Sequence, residues 1–405
     1  MKFVHSADWQ LGARFAQFGA KAHALREARV QTLRMAVDMA KRVEADAFLI
    51  AGDLFVDSQV DDTIVRTALE TFATAPGLPV FILPGNHDAY TGPGCLWERS
   101  VFANKPNNVT VLTQAGIYEA GGASLIASPL QQKVSTMDPS VKFAELAERV
   151  AADRIRIGIT HGALAIPGKY QLNDFPISLD AATRANLDYV ALGHWHNHQV
   201  YDNGRLIMSG TPEPDAFEQS GAGFVTLAEI TRRGTTPILE QISMATLQWE
   251  SFGFDFLDPE QSRLSLTAKL DQLRRRADKS VVRVTLRGGA SASALDEERR
   301  WLESALEPFL VAQIQDDSSA MFTAAELEEL RQQHPLLAQT ILDLLQIEHL
   351  VHNIPLPPEV DTISAIPLTE AQQLLADAKI ELSRLDGEFY RLAHRLLSQK
   401  LREVS

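Results

Sequence analysis

Five short apolar runs within the first 200 residues each stop at side chains that can bind a cation or move a proton. Phe3-Val4 runs on to Asp8-Trp9-Gln10, Ala47-Phe48-Leu49-Ile50 to Gly52-Asp53, and Val80-Phe81-Ile82-Leu83 to Gly85-Asn86-His87-Asp88. Ile155 to Ile159 leads to His161-Gly162, and Tyr189 to Leu192 leads to Gly193-His194-Trp195-His196. Runs this short and this apolar predict buried strands. The amphipathic stretches between them, about 23–44 and Asp62 to Phe72, predict helices. Such alternation builds an α/β layered fold, in which ligands bind beyond the carboxyl ends of the strands. All five run ends are therefore expected in one crevice.

The groups collected there are carboxylates (Asp8, Asp53), amides (Gln10, Asn86) and imidazoles (His161, His194, His196). A mixed oxygen and nitrogen set suits Mn²⁺, Fe²⁺ or Zn²⁺. One cation takes about four to six donors, so the set can serve two with Asp53 as bridge. Paired metals about 3.5–4 Å apart clamp the attacking and leaving oxygens of a phosphoryl displacement. Gly52, Gly85 and Gly193 precede candidate ligands, where the backbone must turn with no side chain in the way. A Gly-Asp pair after a strand is usually only a turn, and a lone strand-end histidine is usually packed or solvated. Five such pieces in order are a different matter.

That order, Asp-x, Gly-Asp, Gly-Asn-His-Asp, His and Gly-His-x-His, resembles the calcineurin-like metallophosphoesterases. Within them it is most similar to the SbcD-type DNA repair exonucleases, relatives of the meiotic-recombination-eleven nuclease. The resemblance is carried by Phe3-Val4-His5-Ser6-Ala7-Asp8-Trp9-Gln10-Leu11-Gly12, Ala51-Gly52-Asp53-Leu54-Phe55 and Ser209-Gly210-Thr211-Pro212-Glu213. It implies a four-layer α/β/β/α sandwich over residues 1–240, a small α+β capping domain over 241–320, and C-terminal helices over 321–405. It also implies two divalent cations, with Mn²⁺ expected and Mg²⁺, Fe²⁺ or Zn²⁺ open. Asp8 and His196 would hold the first, Asn86, His161 and His194 the second, and Asp53 both. His87 would sit over the phosphate, stabilise the transition state and help protonate the leaving oxygen. Asp88 would partner His87, or else cap the next turn. The family places a histidine where this chain has Gln10, so either the first metal binds more weakly or Gln10 points elsewhere. His5 and Cys95 read as core residues, Trp9 and Trp195 as packing beneath the site, and His198 as solvent-facing.

A net charge of −14 argues at first against a nucleic-acid substrate. Its distribution changes that conclusion. Residues 301–405 hold 7 Lys+Arg against 17 Asp+Glu, whereas residues 1–300 hold 31 against 35. A basic run, Arg274, Arg275, Arg276 and Lys279, lies in the expected capping domain. It can track a phosphate backbone, or it can be a solvated face balanced by Asp271 and Asp278. Toward the C-terminus, an apolar stretch at 336–351 precedes a heptad seam through Leu375, Ala378, Leu382, Leu385, Phe389, Leu392 and Leu396. The resemblance makes this a docking region for an SMC-like ATPase of the SbcC type; packing against the body is the alternative. Homodimerisation is common in the family but has no mark in this sequence. Asn107-Asn108 and Gly121-Gly122 mark turns of hairpin material at 108–128. There is no run of about 18 apolar residues, no signal-peptide core and a single cysteine, so a cytoplasmic protein is expected. The expected activity is two-metal-dependent DNA exonuclease and endonuclease cleavage. The alternatives are a phosphoesterase for nucleotides or phosphoproteins and a non-catalytic scaffold of an ATPase complex.

Overall fold

The computed structural model describes residues 1–321, except Ser220 and Leu257, together with residues 331–333 and 335. The chain divides into two compact units, Met1–Trp249 and Glu250–Ser405.

In the first unit, β1 (Lys2–Ser6), β2 (Ala47–Ala51), β3 (Val80–Leu83) and β4 (Val109–Val111) come before a change of sheet. Then follow β5 (Gly116–Ala120), β6 (Ala123–Ala127), β7 (Ile155–His161), β8 (Tyr189–Gly193), β9 (Gln199–Tyr201) and β10 (Leu206–Met208). The chain returns with β11 (Phe224–Glu229) and β12 (Ile238–Ser243). Two six-stranded sheets result, ordered β12-β11-β1-β2-β3-β4 and β5-β6-β7-β8-β10-β9.

Strand alternation explains why these sheets stack. Leu49 of β2 joins Phe3, Phe81, Leu125, Ile157 and Tyr189 in an apolar layer between the sheets. Its neighbours Phe48 and Ile50 point the other way, into a layer with Leu33, Val37 and Phe72. Those residues come from α1 (Ala22–Arg42) and α2 (Asp62–Ala73). α1 buries Leu25, Ala28, Arg29, Thr32, Leu33, Ala36 and Val37, the three-and-four spacing of one helical face. α2 starts where the Asp61 side chain accepts from Thr63 N (2.7 Å). A third layer, with Ile126, Phe143, Leu164, Val190 and Leu192, covers the outside of the second sheet. The short helices Lys142–Ala147 and Ala181–Arg184 contribute to it. The architecture is the α/β/β/α sandwich.

Register then aligns the strand ends. β1, β2 and β3 are parallel, pairing Ser6 with Ile50 and Ala51 with Leu83. β7 and β8 are parallel and pair His161 with Gly193.

Two expectations are refined. Gly121-Gly122 does turn the β5–β6 hairpin, but Asn107-Asn108 does not open a hairpin. The Asn108 amide donates to the carbonyls of Phe72, Ala75 and Leu78 and leads into β4, which joins the first sheet in parallel with β3. The first unit also runs on to Trp249 rather than stopping at residue 240, because that residue lies inside β12, which pairs along its length with β11.

The second unit carries a three-stranded sheet ordered β13-β14-β15 from β13 (Gln248–Asp255), β14 (Ser280–Ser291) and β15 (Val311–Met321). Helices Pro259–Leu273 and Ala292–Leu306 cover it through Leu266, Leu270, Leu302 and Leu306, packed on Phe254, Val282, Val284 and Leu286. This is a small α+β fold. The helical docking region expected over 321–405, with its heptad seam, lies outside the described residues except for Met321, 331–333 and 335. Among the described residues no helix is long and apolar enough to cross a membrane.

Candidate metal centre

Loops leaving β1, β2 and β3 meet loops leaving β7 and β8 at one end of the sandwich. Asp8, Asp53 and His161, each from a different strand, offer ligand atoms that all lie within 4.8 Å of one another. All three are buried. The turns that place them use uncommon backbone. Asp8 (φ 54°), Gln10 (φ 46°), Asp53 (φ 53°) and His194 (φ 117°) all take positive φ without being glycine. Strain of this kind gathers at functional sites, where the surrounding structure holds it in place. Gly52 and Gly85 are required for a simpler reason. A Cβ on Gly52 would lie 2.1 Å from His161 Nδ1, and one on Gly85 would lie 2.2 Å from Asp53 Oδ1.

Around Asn86 the donors arrange themselves in an informative way. His161 Nδ1 donates to the Ala51 carbonyl (2.8 Å), which leaves Nε2 facing Asn86 Oδ1 at 2.9 Å. His194 Nε2 donates to the Asp174 carboxylate (2.9 Å), which leaves Nδ1 facing the same oxygen at 3.0 Å. In the neutral tautomers that these partners select, two imidazole lone pairs and one amide oxygen point at each other with no proton between them. Protonation can satisfy such a group; a cation satisfies it better. The residues present fit a divalent metal.

Without a cation, a proton on His161 takes its place. Burial opposes charge on Asp53, but the charge of His161 and its hydrogen bond outweigh this and hold the carboxyl at about 2. Burial would lower His161, yet the Asp53 carboxylate raises it to about 9. Asp8 is shifted upward by burial, against the opposing pull of His161 and His196. Its carboxylate accepts from His194 N at 3.0 and 3.1 Å. Two buried carboxylates side by side hold strong negative potential, which a cation relieves.

His196 is held through Nδ1. Gln219 Nε2 lies 2.5 Å from that atom and Asp215 Oδ1 3.6 Å from it. Asp215 is anchored in turn by Arg29 of α1 (2.9 Å), whose guanidinium also donates to the carbonyls of Trp9 (3.1 Å) and Glu213 (2.7 Å). Arg29 thus ties the Asp8 loop to the loop that supports His196. Burial would raise the Asp215 carboxyl, but Arg29 and His196 pull it well below the usual carboxylate range.

Gln10 lies at the site, its amide donating to Asp53 Oδ2 (3.1 Å). That hydrogen bond orients the carboxylate in the middle of the group. His87 stands at the rim, half exposed. Its backbone N–H donates to Asp53 Oδ1 (2.9 Å) and its Nδ1 donates to the Val56 carbonyl (3.0 Å). The ring's other nitrogen, Nε2, lies 3.9 Å from Asp53 Oδ2. Of the two roles open to Asp88, partner of the His87 ring or cap of a turn, its hydrogen bonds fit the second. Asp88 accepts from Gly85 N (2.7 Å) and Phe55 N (3.0 Å), fully buried, so its carboxylate shapes the turn that carries Asn86 and His87. Burial and the charge of Asp53 push it up to about 7.

Other residues fall into place. Trp9 packs beneath the site, its indole donating to Ser6 Oγ (2.9 Å). His5 is a core residue between Tyr189 Oη (2.8 Å) and the Leu192 carbonyl (3.1 Å). Trp195 and His198 are half-buried and Cys95 is buried. Arg274, Arg275, Arg276 and Lys279 are exposed on the short turn after Pro259–Leu273, in the second unit. Arg274 donates to Asp271 (2.8 Å). Sequence reasoning missed Asp174, Asp215, Gln219 and Arg29. They lie in irregular loops or on a helix face, far in sequence from the histidines or loops that they hold.

Residues 1–198 match the profile of calcineurin-like phosphoesterases. The chain is 22% identical over 327 residues to the uncharacterized metallophosphoesterase YhaO of Bacillus subtilis (strain 168), a match spanning 76% of each chain. The crystal structure of a dimetal phosphatase from Danio rerio aligns with a TM-score of 0.34 at 12% identity, covering 60% of this chain and 99% of that one.

Proposed function

From the match of residues 1–198 to the calcineurin-like phosphoesterase profile, we propose that this chain hydrolyses phosphodiester bonds at DNA ends. The observation that carries the reading is the meeting of Asp8, Asp53, Asn86, His161 and His194 where strands of both sheets end. Asp8, Asp53 and His196 would hold one divalent cation; Asp53, Asn86, His161 and His194 would hold the second. Bound there, two cations would supply Lewis-acid polarisation of the phosphoryl group and of the attacking and leaving oxygens.

The chain's own residues supply the rest. Gln10 and the His87 N–H fix the two oxygens of Asp53, so this carboxylate keeps one orientation. Val56 holds the His87 ring through Nδ1, leaving Nε2 at the rim to carry a proton toward the leaving oxygen. Asp88 holds the turn beneath that histidine. The second unit supports a polymeric substrate, since Arg275, Arg276 and Lys279 offer exposed charge suited to a phosphate backbone. The acidic C-terminal quarter and its heptad pattern support docking to an SMC-like ATPase, with deletion of residues 321–405 expected to abolish co-purification.

The test incubates the full chain with Mn²⁺ or Mg²⁺ and end-labelled duplex DNA, single-stranded DNA or mononucleotides. The expected result is metal-dependent cleavage of duplex ends that His87→Ala removes. Turnover of mononucleotides alone would replace DNA by a nucleotide substrate. Metal binding with no turnover of any substrate would make the chain a scaffold.

A further inference from the structure

Next to the metal centre, two loops pair with each other and display apolar side chains to solvent. Ser135 N donates to the Asn173 carbonyl (2.9 Å), and Phe175 N donates to the Ser135 carbonyl (2.9 Å). This clasp is rooted in the site at two points. The Asp174 carboxylate accepts from His194 Nε2 (2.9 Å), and the Asp174 carbonyl accepts from Ala163 N (3.1 Å), two residues beyond His161.

Its outer parts are unlike the rest of the surface. Val134 is 60% exposed, Met137 70% and Leu172 74%, among the most exposed large apolar residues of the described chain. Segments 131–137 and 169–175 also carry Lys133 and Lys169, both exposed, and their one acidic residue, Asp174, is paired with His194. In a chain with a net charge of −14, a cationic and apolar lip beside a buried anionic site is a local reversal. Exposed apolar surface of this kind marks an interaction site. Lysines beside it select an anionic partner, and apolar side chains suit the faces of bases once a strand end frays.

We propose that the clasp of residues 131–137 and 169–175 receives the nucleic-acid end that the metal centre cleaves, with Lys133 and Lys169 on phosphates and Val134, Met137 and Leu172 against terminal bases. The inference rests on the phosphodiesterase reading above and assigns the surface that separates a polymeric substrate from a small ester. Because Asp174 belongs to the clasp and orients His194, the surface that meets the substrate also supports a metal-facing imidazole.

The experiment compares the full-length protein with Lys133→Ala/Lys169→Ala and with Val134→Ser/Met137→Ser/Leu172→Ser. Each is assayed on an end-labelled DNA duplex and on bis(4-nitrophenyl) phosphate, a diester with a single phosphate and no bases. The lysine variant is expected to bind duplex ends about tenfold more weakly, and its slope of log Kd against log salt should shrink by about 1.8, roughly 0.9 per lost phosphate contact. The apolar variant should raise KM for DNA with little change in salt slope. Both should hydrolyse the small diester as the parent does, with an unchanged Tm. Unaltered DNA binding in both variants overturns the proposal and leaves the DNA nuclease reading intact. A proportional loss on DNA and on the small diester overturns it too, since the clasp then only supports His194. A parent protein that cleaves the small diester but no DNA refutes the DNA reading, and the proposal with it.

Discussion

The two sheets bring opposite chemistry to the site and hold it by different means. The first supplies the carboxylates and amides, through Asp8, Gln10, Asp53 and Asn86. Its loops are bound to each other by backbone: Asp8 N donates to the Gly52 carbonyl (3.1 Å), Gln10 N to the Asp53 carbonyl (3.1 Å) and Leu11 N to the Leu54 carbonyl (2.9 Å). The second sheet supplies His161, His194 and His196. Only His161 is fixed by backbone alone, through the Ala51 carbonyl, while the other two lean on the side chains of Asp174, Asp215 and Gln219. The anionic half is therefore built into the chain path, and the imidazole half can be tuned one side chain at a time.

That contrast can be broken most forcefully at its centre. Asp53→Asn removes the charge that both halves share, and metal-dependent hydrolysis should fall on the order of 10³-fold, a loss that added metal does not restore. Steady-state rates over a range of Mn²⁺ concentration read this directly. His87→Ala should lower kcat by about 10²-fold while calorimetry still finds parent-like metal affinity, because its ring touches neither half as a donor. On the side-chain-built half, Asp174→Asn should weaken metal binding by about 10- to 100-fold, and activity should return as Mn²⁺ is raised. If excess metal fails to rescue it, the imidazole half is no more adjustable than the carboxylate half.

The smallest effect concerns a contact between the two sheets, made by His5 of β1 with Tyr189 and Leu192 of β8. Burial lowers His5 from 6.5 to about 3 against a partly compensating hydrogen bond to the Leu192 carbonyl. Above pH 6.5 both folded and unfolded chains carry it neutral, so its contribution to stability is complete. As pH drops toward 3 the unfolded chain takes up a proton that the folded chain refuses, and stability falls. Urea midpoints at pH 7 and pH 4.5 should therefore separate more in the parent than in His5→Gln. Equal separations would remove His5 from the acid response.

The same division explains what could be read in advance. Asp8, Asp53, Asn86, His161, His194 and His196 were legible because each follows an apolar run, and strand direction does the rest. An α/β layered fold was legible from runs such as Ala47 to Ile50, buried on both faces, whereas the four-layer order came only with the family resemblance. Arg29 and Asp215 were not, since they meet across 186 residues and neither stands near a strand end. Asp174 was hidden in an irregular loop. Asp88 was visible with two roles open, and sequence could not choose between them: a carboxylate that accepts two backbone N–H groups is spent on the turn. Gln10 was recognised as a departure, and the structure shows its amide donating to Asp53.

The central claim is that the two halves together bind two cations through a shared Asp53. Anomalous diffraction from crystals of the full chain grown with Mn²⁺ tests it most directly. The account expects two peaks, both within coordination reach of Asp53, one beside Asp8 and His196 and the other among Asn86, His161 and His194. A single peak, or peaks that leave Asp53 uncoordinated, would contradict it.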